Sequence, residues 1–174
     1  IDLWVGDGDS IGEDELAGLV AAGVPLRRSP VDKDESDAEL AVLAALDAGA
    51  RRVTILGALG GDRIDHGLAN VWLLGHPRLA GCDVRLLDAA ARIRLVGPGR
   101  TDLGGRVGDL VSILPFAGDA AGLVTEGLRY PLRGERLPSG PSRGLSNVRD
   151  GDDASVTIGS GRILVVETPA TLAR

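Results

Sequence analysis

Aspartate residues gather at three places in the first half of the chain, where a predicted strand ends and a helix begins. They are Asp7 and Asp9, then Asp32, Asp34 and Asp37, then Asp62 and Asp65. In open α/β sheets these strand ends meet at the crevice where ligands bind. Two carboxylates about 4 Å apart repel by roughly 4 kcal/mol at an effective dielectric near 20, so such a cluster needs protons or cations.

A divalent metal would neutralise this cluster. Oxygen ligands without a cysteine and histidine set favour Mg²⁺ or Mn²⁺ over zinc. Asp7 and Asp9 form the strongest pair, because Gly8 permits a bend that lets both carboxylates reach one ion. For any single aspartate the alternative is a helix cap or a turn, which is the usual role of aspartate beside glycine or serine. For Asp7 and Asp9 together, metal binding is the favoured interpretation.

A glycine-rich loop follows the predicted buried strand Val53–Leu56 and contains Gly57, Gly60 and Gly61. Backbone N–H groups of such a loop can approach a phosphate at a helix N-terminus, with Arg63 as a charged clamp. Asp65 is predicted to cap the helix that follows, and His66 either orients a phosphate or caps that helix. The loop matches neither the Walker pattern nor the dinucleotide fingerprint.

The aspartates and the glycine-rich loop can form one site only if the secondary-structure elements bring the strand ends together. Up to about residue 96, strand-sized runs alternate with helix-sized amphipathic segments, which predicts an α/β domain with a parallel sheet. Helices are predicted at Glu13–Ala22, ended by Gly23, and from Ser36, which forms a capping box with Glu39, to Gly49. Their apolar stripes are Leu16, Leu19 and Val20, then Leu40, Leu43 and Leu46. A further strand is expected at Val84–Leu87, after a helix carrying Leu68, Val71, Trp72 and Leu74.

From about residue 97 the pattern changes to glycine-punctuated β runs without helix-length segments, which predicts an all-β second domain. The runs are Leu110–Leu114, Leu128–Leu132, Ser155–Ile158 and Ile163–Glu167. Gly159, Ser160 and Gly161 predict a hairpin turn between the last two runs. His76, beside Pro77, is expected to be solvent-exposed.

Composition narrows the class of protein. The chain has 174 residues, 44% of them hydrophobic, and a formal charge of −6, which argues against nucleic acid or an anionic membrane surface as the main partner. No apolar stretch reaches the roughly 20 residues of a membrane span, and we expect no secretory signal. Cys82 is the one cysteine, so no internal disulfide is possible and a cytoplasmic location is expected. The sequence begins at Ile1 and has no methionine, which predicts an N-terminal truncation.

Five motifs, taken in order, resemble those of the thiamine pyrophosphokinase family. They are GDGDS at Gly6–Ser10, DKDESD at Asp32–Asp37, GGDRIDHGLAN at Gly60–Asn70, GLRYPL at Gly127–Leu132 and GLSN at Gly144–Asn147. The resemblance implies a Rossmann-like α/β domain over residues 1–96 and a thiamine-binding β-sandwich over residues 97–174. It also implies homodimers with active sites between subunits.

The resemblance further implies transfer of pyrophosphate from ATP to thiamine with Mg²⁺, which gives thiamine diphosphate and AMP. It assigns Asp7, Asp9 and Asp34 to the metal, and Asp37 and Asp65 to the same acidic catalytic site. The ATP phosphates would be bound by Lys33, Gly60, Gly61, Arg63 and His66. Ser146 and Asn147 would hydrogen-bond the thiamine pyrimidine. Tyr130 is either a thiamine-side aromatic or, from its alternation with Leu128 and Leu132, a core-facing residue.

The sequence departs from the family at three points. Ser36 stands where threonine is usual, an extra residue lies near Asp62, and an upstream segment with an Ala-Asp-Gly motif is missing. One alternative is therefore a truncated relative that binds thiamine or a nucleotide without turnover. A second is a metal-dependent phosphoesterase resembling the DHH phosphohydrolases, although those should carry more histidine ligands than the two here.

Overall fold

The protein has a mixed α/β fold, and the computed structural model describes residues 1–172. The chain divides into two compact units. Unit 1 is Ile1–Val53 with Ala80–Cys82, and unit 2 is Thr54–Leu79 with the residues from Asp83 onward. The α/β character expected of the first half is confirmed, and after residue 97 the described part of the chain contains strands and one short 3₁₀ turn.

Unit 1 contains two short parallel strands and two helices. Strand β1 is Trp4–Gly6 and strand β2 is Leu26–Arg28. Helix α1, Glu13–Ala21, begins with three acidic residues, which favour the positive N-terminal end of the helix dipole. It ends before Gly23, whose φ of +74° suits glycine, as the sequence predicted. Helix α2 is Asp37–Asp47.

The start of α2 confirms the predicted cap. Ser36 Oγ accepts a hydrogen bond from the Glu39 N–H at 3.2 Å, which satisfies one of the free N–H groups of the first turn. The predicted apolar stripe is only partly correct. The buried residues of α2 are Val42, Ala44 and Leu46, so burial follows two sides of the helix rather than a single stripe.

Unit 2 contains most of two sheets, and one strand, Arg52–Leu56, begins with the last two residues of the first segment of unit 1. The elements after α2 are β3 Arg52–Leu56, α3 Ile64–Leu73, a 3₁₀ turn Pro77–Leu79, β4 Asp83–Leu87, β5 Arg92–Val96, β6 Gly99–Asp102, β7 Leu110–Pro115, β8 Ala120–Glu126, β9 Arg133–Leu137, β10 Asn147–Val148, β11 Ser155–Ile158, β12 Ile163–Thr168 and a 3₁₀ turn Ala170–Leu172. One sheet has the order β10-β7-β12-β5-β4-β3 and the other β6-β11-β8-β9.

The core of unit 2 is formed by side chains from both sheets. Val111, Ile113 and Ile163 of the first sheet pack with Leu123 and Val156 of the second, and all five are at most 1% exposed. Each such burial stabilises the fold by about 1.5–3 kcal/mol relative to an exposed side chain.

The predicted strand Leu128–Leu132 is wrong. These residues form a loop between β8 and β9, and only Leu128 makes an isolated bridge, to Arg149. Gly127 has a φ of +65°, and Pro131 has no N–H to donate to a ladder. Tyr130 is 64% exposed in this loop, so the core-facing alternative for its ring is also wrong.

The predicted hairpin turn at Gly159–Gly161 is wrong as well. Strand β11 belongs to the four-stranded sheet and β12 to the six-stranded sheet, so this segment carries the chain from one sheet to the other. A Cβ on Gly161 would lie 2.3 Å from the Asp119 carbonyl oxygen. Only glycine therefore fits at position 161 without a shift of the backbone. The glycines therefore allow two backbone segments to lie close together.

Helix α3 begins at Ile64 after Arg63, which makes the predicted capping role of Asp65 wrong, because Asp65 lies within the first turn. The helix also buries less than its apolar spacing predicts. Trp72 is 62% exposed and contacts Phe116 at 5.7 Å between ring centroids. Leu74, the last residue of the predicted stripe, is buried as expected, and so is Leu73, which the spacing did not include.

Two other expectations of burial need correction. Strand β3 forms an edge of its sheet, and its last residue, Leu56, is 71% exposed, so β3 is not a buried strand. His76 is half-buried rather than exposed, and its Nδ1 accepts a hydrogen bond from the Arg78 N–H at 3.2 Å. Among residues 1–172, no helix has the length and apolar character needed to cross a membrane.

Candidate functional site

The acidic site of unit 1 lies where the two parallel strands end. Gly6 is paired in register with Arg28, so β1 and β2 finish at the same edge. Asp7 follows at once, and its Oδ1 accepts a hydrogen bond from the Asp9 N–H at 3.1 Å. Gly8 has a φ of +93°, which gives the sharp turn that the sequence predicted between the two aspartates.

Three carboxylates converge at this edge. One carboxylate oxygen from each of Asp7, Asp9 and Asp37 lies within 4.8 Å of the others. Asp37 is the first residue of α2 and approaches β1 closely, because a Cβ on Gly6 would lie only 2.7 Å from Asp37 Oδ2. A larger residue at position 6 would therefore displace the Asp37 carboxylate.

Lys33 joins two of these carboxylates. Its Nζ lies 2.7 Å from Asp7 Oδ2 and 3.0 Å from Asp37 Oδ1, and its side chain is 12% exposed. The hydrogen bond from Lys33, together with that from the Asp9 N–H, lowers the pKa of Asp7 to about 2. Asp7 and Asp37 in turn raise the pKa of Lys33. Both Asp7 and Lys33 are therefore charged at neutral pH.

The chemistry of the acidic group fits a hard divalent cation. Its donors are all carboxylate oxygens, the ligands that Mg²⁺ and Mn²⁺ prefer. Asp37 Oδ1 is buried and, although Lys33 is near, has no hydrogen bond of good geometry within the described chain. An oxygen in this state can serve as a ligand. Among the described residues this group includes Asp37 and not Asp34, which lies exposed in the preceding loop.

The glycine loop and the start of α3 belong to unit 2. Arg63 Nε and Nη2 donate to the two oxygens of Asp65 at 2.9 and 2.6 Å, and both side chains are more than 60% exposed. This pair, with Arg63 as the main cause, lowers the pKa of Asp65 to about 2. His66 is exposed in the same turn. A Cβ on Gly60 or Gly61 would meet no atom within 4 Å, so the loop surface is open.

Unit 2 also contains a cavity of about 400 Å³ beside the GLSN motif. It is lined by Ile113, Tyr130, Pro131, Leu132, Arg143, Gly144, Leu145 and Asn147. Apolar walls with a few polar groups are typical of small-molecule sites. Arg143 is paired with Glu135 at 2.9 Å. The GLRYPL and GLSN motifs thus meet at one cavity, although they lie apart in the sequence.

Ser146 and Asn147 form hydrogen bonds that fix the backbone beside this cavity. Asn147 Oδ1 accepts from the Tyr130 N–H at 3.0 Å and from the Val148 N–H at 2.9 Å. Asn147 Nδ2 donates to the Tyr130 carbonyl at 2.7 Å. Ser146 has a φ of +57° and donates its N–H to Ser112 Oγ at 3.1 Å. Sequence reasoning missed these backbone contacts, because only the fold brings Tyr130 and Asn147 together.

Comparison with known proteins decides the family. The model of the thiamin pyrophosphokinase catalytic domain matches residues 1–86, and that of the thiamin pyrophosphokinase vitamin B1 binding domain matches residues 100–163. The chain belongs to the thiamine pyrophosphokinase family.

Relatives within this family agree in sequence and in fold. The thiamine pyrophosphokinase of Bacillus subtilis (strain 168) is 32% identical over 143 residues, which cover 82% of this chain and 66% of that protein. The match therefore spans just under two thirds of that relative.

Solved structures of the family superpose well. A crystal structure of the Bacillus subtilis enzyme has a TM-score of 0.87 at 27% identity, covering 97% of this chain and 78% of that one. One of the family protein from Enterococcus faecalis has a TM-score of 0.84 at 29% identity, covering 97% and 79%. The mixed α/β fold is thus that of the thiamine pyrophosphokinase family.

Proposed function

We propose that this chain is a thiamine diphosphokinase, which transfers pyrophosphate from ATP to thiamine and releases AMP. The observation that carries the proposal is the convergence of Asp7, Asp9 and Asp37 around Lys33 at the strand ends of a chain of this family. The cavity beside the GLSN motif supports thiamine as the acceptor, since its lining of apolar residues with a few polar groups offers a place for aromatic rings that carry polar atoms.

Asp7, Asp9 and Asp37 would hold the magnesium ion, with Mn²⁺ as a possible substitute. Asp37 replaces Asp34 in this proposed ligand set, because its oxygens lie with those of Asp7 and Asp9. Asp34 of unit 1 and Asp65 of unit 2 remain candidate residues for ATP, as the resemblance assigns them. When bound, the metal supplies charge neutralisation of the triphosphate and of the transferring group.

In this proposal the side chains of the protein bind the two substrates, orient them and accept the proton of the thiamine hydroxyl. The thiamine hydroxyl attacks the β-phosphorus of ATP in line, the bond to the α-phosphate oxygen breaks, and AMP leaves with that oxygen. The hydroxyl proton passes to an aspartate of the site that does not bind the metal. In unit 2, Gly60, Gly61, Arg63 and His66 are the candidate phosphate-binding residues. Lys33 orients the carboxylates of Asp7 and Asp37 through its two ion pairs.

Thiamine lies in the cavity of unit 2 in this proposal. Ser146 and the remaining Asn147 N–H bond the pyrimidine, and the exposed ring of Tyr130 covers the heterocycle. Asn147 uses one of its two amide N–H groups on Tyr130, so one stays available for the ligand.

The division into two domains, the location of the protein in the cell and its assembly are also part of the proposal. We take residues 1–96 as a Rossmann-like nucleotide domain and residues 97–174 as a β-sandwich, with a cytoplasmic location. The protein would form homodimers with active sites between subunits. Analytical ultracentrifugation would test the assembly, because a monomer in the presence of ATP and thiamine would contradict it.

The decisive experiment measures AMP and thiamine diphosphate formed from ATP and thiamine with Mg²⁺, and repeats the assay with a chelator. We expect equal amounts of both products, abolished by the chelator and by Asp9→Asn. Asp14→Asn, an exposed aspartate in α1, is the matched control and should retain activity. Thiamine that raises the melting temperature without product would instead support a binding module.

A further inference from the structure

Arg28 lies beside the acidic group, although no motif includes it. It is the last residue of β2 and is paired in register with Gly6, the residue before Asp7. A Cβ placed on Gly8 would lie 3.7 Å from Arg28 Nη1, which is ordinary van der Waals contact. The guanidinium therefore reaches the turn that joins Asp7 to Asp9.

The guanidinium of Arg28 has no partner in the described part of the chain. Across residues 1–172, the side chain of Arg28 forms no hydrogen bond or ion pair, and the residue is exposed. The adjacent Arg27 instead pairs with Asp47 at 3.8 Å. Successive side chains of a strand point to opposite faces, so these two arginines differ in what they can reach.

Lys33 cannot supply the charge that Arg28 offers. Its ammonium group donates hydrogen bonds to Asp7 Oδ2 at 2.7 Å and to the Pro30 carbonyl at 3.3 Å, and it forms an ion pair with Asp37 Oδ1 at 3.0 Å. A phosphate would have to displace one of these partners. In the described acidic site of unit 1, Arg28 is the cation whose donors are all unused.

We propose that Arg28 donates hydrogen bonds to the polyphosphate chain of ATP at the edge of the acidic group. This rests on the proposed function, since it assigns a substrate contact to the same site. A guanidinium presents a planar fork of N–H donors that matches two phosphate oxygens, and it stays charged at every relevant pH. Lys33 then acts as a positioning residue that orders the carboxylates, while Arg28 binds the anion.

The test compares Arg28→Gln and Arg28→Lys with the matched control Arg27→Gln. Calorimetry measures binding of inorganic tripolyphosphate in Mg²⁺, and steady-state kinetics measure KM for ATP and for thiamine. A charge-assisted hydrogen bond contributes enough for a loss of about ten- to a hundredfold in affinity. We expect that loss for Arg28→Gln, a smaller one for Arg28→Lys, a matching rise in KM for ATP, and an unchanged KM for thiamine.

Arg27→Gln should change tripolyphosphate binding less than about twofold, because its ion pair is exposed. Equal affinities of Arg28→Gln and Arg27→Gln would overturn the inference, as would an equal rise in both KM values. So would wild-type protein that binds no tripolyphosphate. Wild-type protein that binds tripolyphosphate through Arg28 but forms no thiamine diphosphate would contradict the proposed function alone.

Discussion

The side-chain amide of Asn147 pairs with both backbone polar groups of Tyr130, as one peptide group pairs with another across a sheet. The two bonds are 3.0 Å from the Tyr130 N–H and 2.7 Å to the Tyr130 carbonyl. Asn147 is 9% exposed, so these bonds are shielded from water. The loop that carries Tyr130 along the cavity is therefore fixed by a residue 17 positions away.

Asn147→Ala should loosen this loop. The substitution leaves the Tyr130 N–H and carbonyl unpaired, at a cost of about 1–3 kcal/mol of unfolding free energy. We expect KM for thiamine to rise about tenfold or more, with KM for ATP nearly unchanged. Steady-state kinetics with each substrate varied in turn would measure this, and Ser142→Ala in the neighbouring exposed loop is the control. Equal changes in both KM values would count against a role confined to the cavity.

Gly6→Ala should disrupt the acidic group. The added Cβ would lie 2.7 Å from Asp37 Oδ2, so this carboxylate must shift from its present position near Asp7 and Asp9. We expect Mn²⁺ binding, followed by electron paramagnetic resonance, to weaken by about tenfold. Gly18→Ala in α1 is the control, since a Cβ there meets no atom within 4 Å and helix propensity favours alanine by about 1 kcal/mol. Unchanged Mn²⁺ affinity in Gly6→Ala would remove Asp37 from the ligand set.

Acid should weaken unit 1 through Asp7. Its pKa is lowered to about 2 in the folded protein, so its stabilising contribution is complete above the ordinary pKa near 4. That contribution is lost as the pH falls from about 4 to about 2. In metal-free protein we expect the melting temperature of wild type to fall more steeply over this range than that of Asp7→Asn. Parallel curves would mean that the Lys33 ion pair adds no net stability.

Of the basic side chains, Arg149 should be the one whose replacement lowers the free energy of unfolding most. It is 5% exposed, and its guanidinium donates to the carbonyls of Leu103, Gly104, Gly151 and Asp152. Arg149→Met leaves these carbonyls unpaired and should cost about 3 kcal/mol or more in chemical denaturation. Arg100→Met is the control, because the ion pair of Arg100 with Glu126 is exposed to water and should contribute little to stability. Similar losses in both variants would contradict this ranking.

Local signals in the sequence predicted several features correctly. The Ser36 cap, the Gly23 helix end and the turn at Gly8 depend on neighbouring residues only. The convergence of Asp7 with Asp9 was predicted for the same reason. Such features are readable because propensity and capping act over three or four residues.

Features set by distant parts of the chain were not predictable. Leu128–Leu132 has the alternation of a strand, but Asn147 holds it as a loop. Gly159–Gly161 has the composition of a hairpin, but the two strands it joins pair with different partners. Arg28 stands in no motif, and only the register of β1 with β2 brings it to the acidic group. Tertiary context decides each of these cases.

The crossing at Gly159–Gly161 has a consequence for the order of synthesis. Strand β11 lies between β6 and β8 in one sheet, and β12 lies between β5 and β7 in the other. Both sheets therefore lack an interior strand until residues 155–168 have left the ribosome. Until then the earlier strands of unit 2 have unpaired edges. Chains with unpaired strand edges bind chaperones or aggregate. A stop codon before β11 would remove the middle of both sheets at once.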